Sequence, residues 1–199
     1  MNMQSSTSGL VERAKSGNTE AFSLLFRKYQ RRLAVLIHYK MSSNLHAQTD
    51  ADDILQETFL AASRQLDQFT YRSPGSFMAW LSRIADNAIV DAARFHARQK
   101  RDGGQNLRFR SESNPNGPEP ADSNTPSRIF SSGERVRAIL EKMNELSAEQ
   151  RQVILLAKFE GLSTLEIASR MGKSREAVAL LLHRALKRFR ESIQKCDGK

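Results

Sequence analysis

Apolar residues recur at helical spacing along most of the chain. Leu10, Val11 and Ala14 form a first short stripe, and Phe22, Leu25, Phe26, Tyr29, Leu33, Leu36 and Ile37 a longer one. Ser16-Gly17-Asn18 breaks the two, with Asn18 or Thr19 as the cap of the second helix. After the polar stretch 41–48, Ile54, Leu55, Phe59, Ala62 and Leu66 predict an amphipathic helix, capped by Thr49 or Asp50 with Asp52 or Asp53 placed to close a capping box. A loop follows. Phe77, Leu81, Ile84, Ala85, Ala88, Ala92 and Phe95 then predict another helix with one buried stripe. From 102 to 133 the periodicity disappears and Gly, Pro, Ser and Asn dominate, the composition of a flexible linker.

Beyond the linker the helical period returns in four runs. Helices are predicted over 135–146 and 148–159, the second opened by Ser147 with Gln150 at capping-box spacing and closed by Gly161. Ser163-Thr164-Leu165-Glu166 opens a short helix to Met171, Gly172 turns the chain, and Ser174 caps a last helix to about 194. Ala168 is small where these two helices cross, and Ile167, Met171, Val178 and Leu181 fall where they pack, a helix-turn-helix pattern. The fold class expected is all-α: two small helical domains, 1–101 and 134–199, on a flexible linker, 102–133.

The polar faces carry the candidate chemistry. The helix after Asp50 shows Asp52, Asp53, Gln56 and Glu57 opposite its apolar stripe. Acidic residues in a first turn also complement the helix dipole, which accounts for Asp50 and Asp52 without any partner. The next helix carries Asn87, Asp91, Arg94 and Arg98 on one face, then Lys100 and Arg101. That basic end suits nucleic-acid phosphates or simply a solvated helix terminus.

Between these helices the loop of Phe69, Thr70, Tyr71, Arg72, Pro74, Gly75 and Ser76 is polar and turned by Pro-Gly. Phe69 and Tyr71 in it, and Phe77 and Trp80 just after it, are able to stack on unpaired bases, although for Phe77 and Trp80 a core role is the better reading. On the last helix the outward face is Ser174, Arg175, Glu176, Ala179, Leu180, His183, Arg184 and Lys187. Arg175 suits guanine, Glu176 suits cytosine, and Ala179 and Leu180 suit thymine methyl groups; Lys187, Arg188 and Arg190 suit phosphate.

Charge sharpens this picture. The chain of 199 residues carries +9, and the excess sits in the two flanking segments, about +5 each, while the linker is near neutral. That favours two nucleic-acid-facing modules. The basic cluster Arg27, Lys28, Arg31 and Arg32 reads as a solvated face. An acidic face beside a basic one calls for a second, protein partner.

The run DADDILQETFL, then WLSRIADN, then a basic helix end resembles the second conserved region of bacterial sigma-70-type initiation factors, most closely the extracytoplasmic-function (ECF) group. LVERAKSGNTEAFSLLFRKYQ is similar to the opening helices of that fold, and ELSAEQRQVILLAKFEGLS with the helix-turn-helix is similar to its fourth region.

The resemblance implies that Asp53, Gln56 and Glu57 dock on a helical clamp of the RNA polymerase core. It implies that the Phe69–Phe77 loop traps a base flipped from the non-template strand of the minus-ten element, with Asn87 helping to form the pocket, and that the last helix reads the minus-thirty-five element. It implies a connector running through the polymerase's RNA exit path, where a passive tether is the alternative. The partners implied are polymerase core and promoter DNA. The family also admits an anti-sigma factor, though no residue identifies one. The loop FTYRSPGSF is longer than the FRGxSSF form common in the family, which leaves the preferred base open.

No cofactor and no catalysis are expected. His38, His46, His96 and His183 lack metal-ligand spacing, there is no P-loop or GxGxxG, and the one cysteine, Cys196, excludes an internal disulfide. No apolar run has signal-peptide or membrane-span length, so a cytoplasmic protein without membrane insertion is expected. The rival reading is a stand-alone helix-turn-helix regulator outside polymerase, which has no use for Gln56 and Glu57.

Overall fold

The computed structural model describes residues 6–101 and 130–194. Among them every regular element is helical: α1 (Thr7–Lys15), α2 (Thr19–Lys40), α3 (Ser43–His46), α4 (Ala51–Gln65), a 3-10 turn (Leu66–Gln68), α5 (Ser76–Arg101), α6 (Phe130–Asn144), α7 (Ala148–Ile154), a π-helical turn (Leu155–Glu160), α8 (Thr164–Met171) and α9 (Arg175–Gln194).

Local chemistry sets most of these bounds. Asn18 accepts a hydrogen bond from the Ala21 amide and starts α2, after Gly17 has turned the chain at φ 86°. Asp50, not Thr49, caps α4 by accepting from the Asp52 amide. The expected capping box at Ser147 and Gln150 is present, and so is that at Ser163 and Glu166. Gly161 and Gly172 end their helices at φ 78° and 63°, in the left-handed region that favours glycine.

Three details differ from the periodicity. The stretch 41–48 contains the one-turn helix α3. The helix expected over 148–159 is α-helical only to Ile154 before widening into the π turn. Helix α6 begins at Phe130, inside the span read as linker; the rest of that span lies outside the described residues.

Helix α2 is the centre of the fold. Leu33, Ala34, Val35, Leu36 and Ile37 are all buried. Five consecutive helical residues sweep more than a full turn, so their burial takes neighbours on more than one side. Those neighbours are α1, α4 and α5 from the first segment, and α6 and the π turn from the second. The two segments therefore pack on each other around α2.

The predicted stripes fall inward. Ile54, Leu55, Phe59, Ala62 and Leu66 are buried, as are Phe77, Leu81, Ile84 and Ala85, while Ala88, Ala92 and Phe95 are half-buried. In the second segment Ile167 and Val178 are fully enclosed between α8 and α9, with Ala168 at the crossing and Met171 and Leu181 at its edge.

Candidate functional site

Capping at Asp50 fixes the phase of α4, and its buried stripe then turns Asp53, Gln56 and Glu57 outward, all exposed. Leu60 continues that face one turn further and is 51% exposed. Its apolar side chain lies outside the buried stripe, beside the exposed carboxylates and amide, and the helical period did not single it out. Asp52 is turned partly inward. Its carboxyl is pushed above the ordinary value, first by partial burial and then by the charges of Asp50 and Asp53. It serves the first turn rather than the outward face.

The loop is held by one hydroxyl. Ser76 Oγ accepts from the Arg72 and Ser73 amides at 3.2 and 3.3 Å and donates to the Ser73 carbonyl at 2.8 Å. This leaves Thr70 and Arg72 exposed and Tyr71 half-buried.

The aromatic expectation needs correction. Phe69 and Phe77 are 5% and 3% exposed and cannot offer open faces to bases in this arrangement. They are held in a ring cluster: Tyr29 to Phe77 at 4.9 Å between centroids, Phe69 to Phe77 at 5.3 Å, Phe69 to Trp80 at 4.9 Å and Phe77 to Trp80 at 5.5 Å. Burying aromatic area against Tyr29 of α2 outweighs leaving it in the loop. Tyr71 and Trp80, both half-buried, keep ring surface at the edge of this floor.

On α5 the side chains of Asn87, Asp91, Arg94 and Arg98 are exposed along one face. Arg94 lies 3.7 Å from Asp91 in a largely exposed pair, weak enough to leave the guanidinium free for phosphate. Thr49 Oγ1 and His96 Nε2 meet at 2.7 Å and tie α5 to the start of α4, so the acidic and basic faces lie on two helices packed together.

In the second segment Ser174 Oγ accepts from the Ala177 amide and starts α9. With Val178 and Ala185 fully buried, the opposite face carries Ser174, Arg175, Glu176, Ala179, Leu180, His183, Arg184 and Lys187, all exposed; Leu180 is 49% exposed. The predicted reading face is thus presented as one surface.

Polar residues between the segments escaped the sequence reading. Lys40 Nζ lies 2.7 Å from Asp86 of α5 and 3.2 Å from Glu160, and Glu160 is held at 2.8 Å by Arg170 of α8. Arg32 donates to the Lys158 carbonyl, so that member of the basic cluster on α2 is not simply solvated. The Tyr39 hydroxyl reaches the Leu140 carbonyl and the Asn144 side chain, with the Arg151 guanidinium over its ring. Spacing offers no signal for contacts made between elements so distant in the chain.

An acidic, partly apolar helix face, a stapled loop at the start of a helix with outward arginines, and a helix-turn-helix whose last helix exposes one face together define a two-region sigma-type architecture. The family model and the sequence relatives agree. The model of the family described as ECF sigma factor matches residues 4–195. The chain is 33% identical over 182 residues to the ECF RNA polymerase sigma factor BldN of Streptomyces coelicolor, covering 89% of this chain and 62% of that protein. It is 30% identical over 186 residues to the ECF RNA polymerase sigma-E factor of Haemophilus influenzae, covering 93% and 94%. Among solved structures, the RsbN–BldN complex matches with a TM-score of 0.35 and CnrH with the cytosolic domain of CnrY with 0.41, each at 25% identity; they cover 91% and 94% of this chain and 97% and 96% of those chains.

The chain belongs to the ECF sigma factor family. It is accordingly an RNA polymerase-associated transcription initiation factor, and the stand-alone regulator is not favoured. Among the described residues no helix is long and apolar enough to cross a membrane, and no group of three or more His, Cys, Asp or Glu is placed to hold a metal ion.

Proposed function

We propose that this chain binds the polymerase core through Asp53, Gln56, Glu57 and Leu60 of α4, captures the opened minus-ten strand at the Thr70–Ser76 loop, and reads duplex DNA upstream through α9. The working units are 1–101 and the segment that opens with α6 at Phe130, with the chain between them as tether. The observation that carries the reading is the α4 face, where acidic, amide and apolar side chains are exposed together on a chain whose net charge is +9. DNA repels such a face, so a protein must cover it.

Flipping a base out of a duplex costs a few kcal/mol. Tyr71 and Trp80 supply stacking surface at the loop, and Asn87 an amide that donates and accepts at once. Arg94 and Arg98 hold backbone phosphate without reading sequence. On α9, Arg175 and Glu176 address base edges, and Lys187 anchors the register. Tethering makes the second DNA contact intramolecular, so neither unit needs high affinity alone. The protein is non-catalytic in this reading, acts in the cytoplasm, and drives opening with binding energy alone.

The test is equilibrium binding of labelled full-length protein to purified bacterial core, with and without Gln56→Ala/Glu57→Ala. Wild type binds and the double variant binds at least tenfold more weakly. Equal binding by both would remove α4 from the interface.

A further inference from the structure

The outward face of α9 carries a large side chain that the base and phosphate contacts proposed above leave unused. Val178 and Ala185 are fully buried and fix the phase of the helix. At about 100° per residue, Leu180 then stands nearly opposite them, on the crest of the exposed face. Glu176, Leu180, His183 and Lys187 follow one another along that crest at spacings of four, three and four residues, all exposed. Leu180 is 49% exposed, whereas Leu181 and Leu182, next to it in the chain, turn back against the core and are half-buried.

A single exposed leucine is common on protein surfaces and by itself marks nothing. Its surroundings select the partner. Arg175 and Arg184 flank the crest and Lys187 ends it, all exposed. Positive charge around one apolar side chain fits a surface that is anionic at its edges and apolar at a point within. The major groove of duplex DNA is such a surface: phosphates border it, and the C5-methyl of thymine is the apolar group that projects into it. In helix-turn-helix docking the N-terminal part of the second helix meets the base edges. Leu180 lies in the second turn of α9, five residues beyond Arg175 and so within that part.

The side chain also excludes bases. Leucine has neither donor nor acceptor. Pressed against guanine, cytosine or adenine it takes a polar edge out of water and offers no hydrogen bond in return. Against thymine it covers a methyl group, which is favourable burial. Ala179 beside it is exposed and carries only a methyl group, so it leaves the approach open. Leu180 therefore differs in kind from Arg175 and Glu176, which address base edges through hydrogen bonds.

We infer that Leu180 is a specificity-determining residue: it buries the C5-methyl of one thymine in the upstream element and favours a T·A pair there. This rests on α9 reading duplex DNA.

The test removes the methyl group and nothing else. Deoxyuridine pairs as thymidine does but lacks the C5-methyl. Duplexes recovered from a pool of promoter fragments by core with full-length protein are remade with deoxyuridine at one upstream thymidine at a time. Binding is then measured for holoenzyme carrying wild type, Leu180→Ala or Arg175→Ala. At one thymine wild type should lose about fourfold in affinity, the effect of burying one methyl-sized group. Leu180→Ala should bind thymidine and deoxyuridine alike there. It should keep the wild-type slope of log affinity against log salt, because no phosphate contact is lost.

A wild type indifferent to every replacement, or a Leu180→Ala protein as sensitive as wild type, overturns the inference. Weaker binding of Leu180→Ala to core without DNA overturns it too, since the leucine then faces protein. If Arg175→Ala also leaves binding to every duplex unchanged, or no duplex is recovered, the reading of α9 itself fails and the inference with it. If Arg175→Ala weakens binding and only the deoxyuridine effect is missing, α9 reads DNA and Leu180 does not.

Discussion

The ring of Phe69 lies 4.9 Å from that of Trp80 between centroids, tilted 34° to it, in the floor beneath the Thr70–Ser76 loop. One ring of this pair is buried and the other keeps an open edge, and the buried rings should fail differently on substitution from the half-buried Tyr71 in the loop above. Phe69→Ala, or Phe77→Ala in the same cluster, removes a buried aromatic and should cost about 3–5 kcal/mol of stability, read as a lower urea midpoint. Tyr71→Ala, which removes only a half-buried ring, should lower the midpoint less than either and weaken capture of the opened strand by about 1–3 kcal/mol.

Leu60 gives a test of the α4 face that leaves the core alone. Its side chain is half exposed, so Leu60→Asp should change stability by no more than about 0.5 kcal/mol. Removing a central apolar contact should weaken core binding by on the order of tenfold, about 1.4 kcal/mol. Titration of labelled protein with core measures this directly.

Much of this architecture was legible locally. The break at Gly17, the caps at Asn18, Ser147, Ser163 and Ser174, and the left-handed glycines at 161 and 172 all follow from chemistry within a few residues. The inward stripes of α4 and α5 follow from helical period alone. What stayed hidden depends on distant partners. Phe69 and Phe77 are covered because Tyr29 arrives from α2, and Lys40 finds Glu160 only when the segments pack. Ala34 and Val35 fall outside a single-face stripe because α2 is enclosed from both segments. The faces of α4 and α9 lay between these extremes: helix phase predicts which residues point outward, whereas what they bind came from resemblance.

The capping box at Ser163 makes stability depend on pH. The Glu166 carboxyl is held below the usual carboxylate range, first by the Ser163 hydroxyl and then by its amide; slight burial opposes this and Arg83 adds to it. A depressed folded pKa stabilises above the unfolded value, and that contribution is lost as pH falls through the folded one. Near neutrality Ser163→Ala should cost about 0.5–2 kcal/mol. The gap to wild type should narrow as pH falls below the ordinary glutamate range, because wild type then loses the hydroxyl's hold on the carboxylate, which the variant already lacks. Urea midpoints across that range decide it; a gap that widens in acid would contradict the assignment.

The α9 face separates reading from holding. Arg175→Ala should cost about 1–3 kcal/mol at one base pair and relax the preference there. Lys187→Ala should weaken every sequence alike and lower the slope of log affinity against log salt by about 1. Binding to a set of single-base-pair variants of a recovered promoter, at several salt concentrations, distinguishes the two.

The most direct measurement is reconstituted transcription from a pool of promoter fragments, using purified bacterial core and full-length protein as wild type, Gln56→Ala/Glu57→Ala and Arg175→Ala. A discrete set of start sites should appear with wild type, vanish with the α4 double variant, and lose selectivity with Arg175→Ala. Start sites that persist undiminished in the α4 double variant, or no core-dependent initiation by wild type at any promoter, would contradict the assignment of these faces.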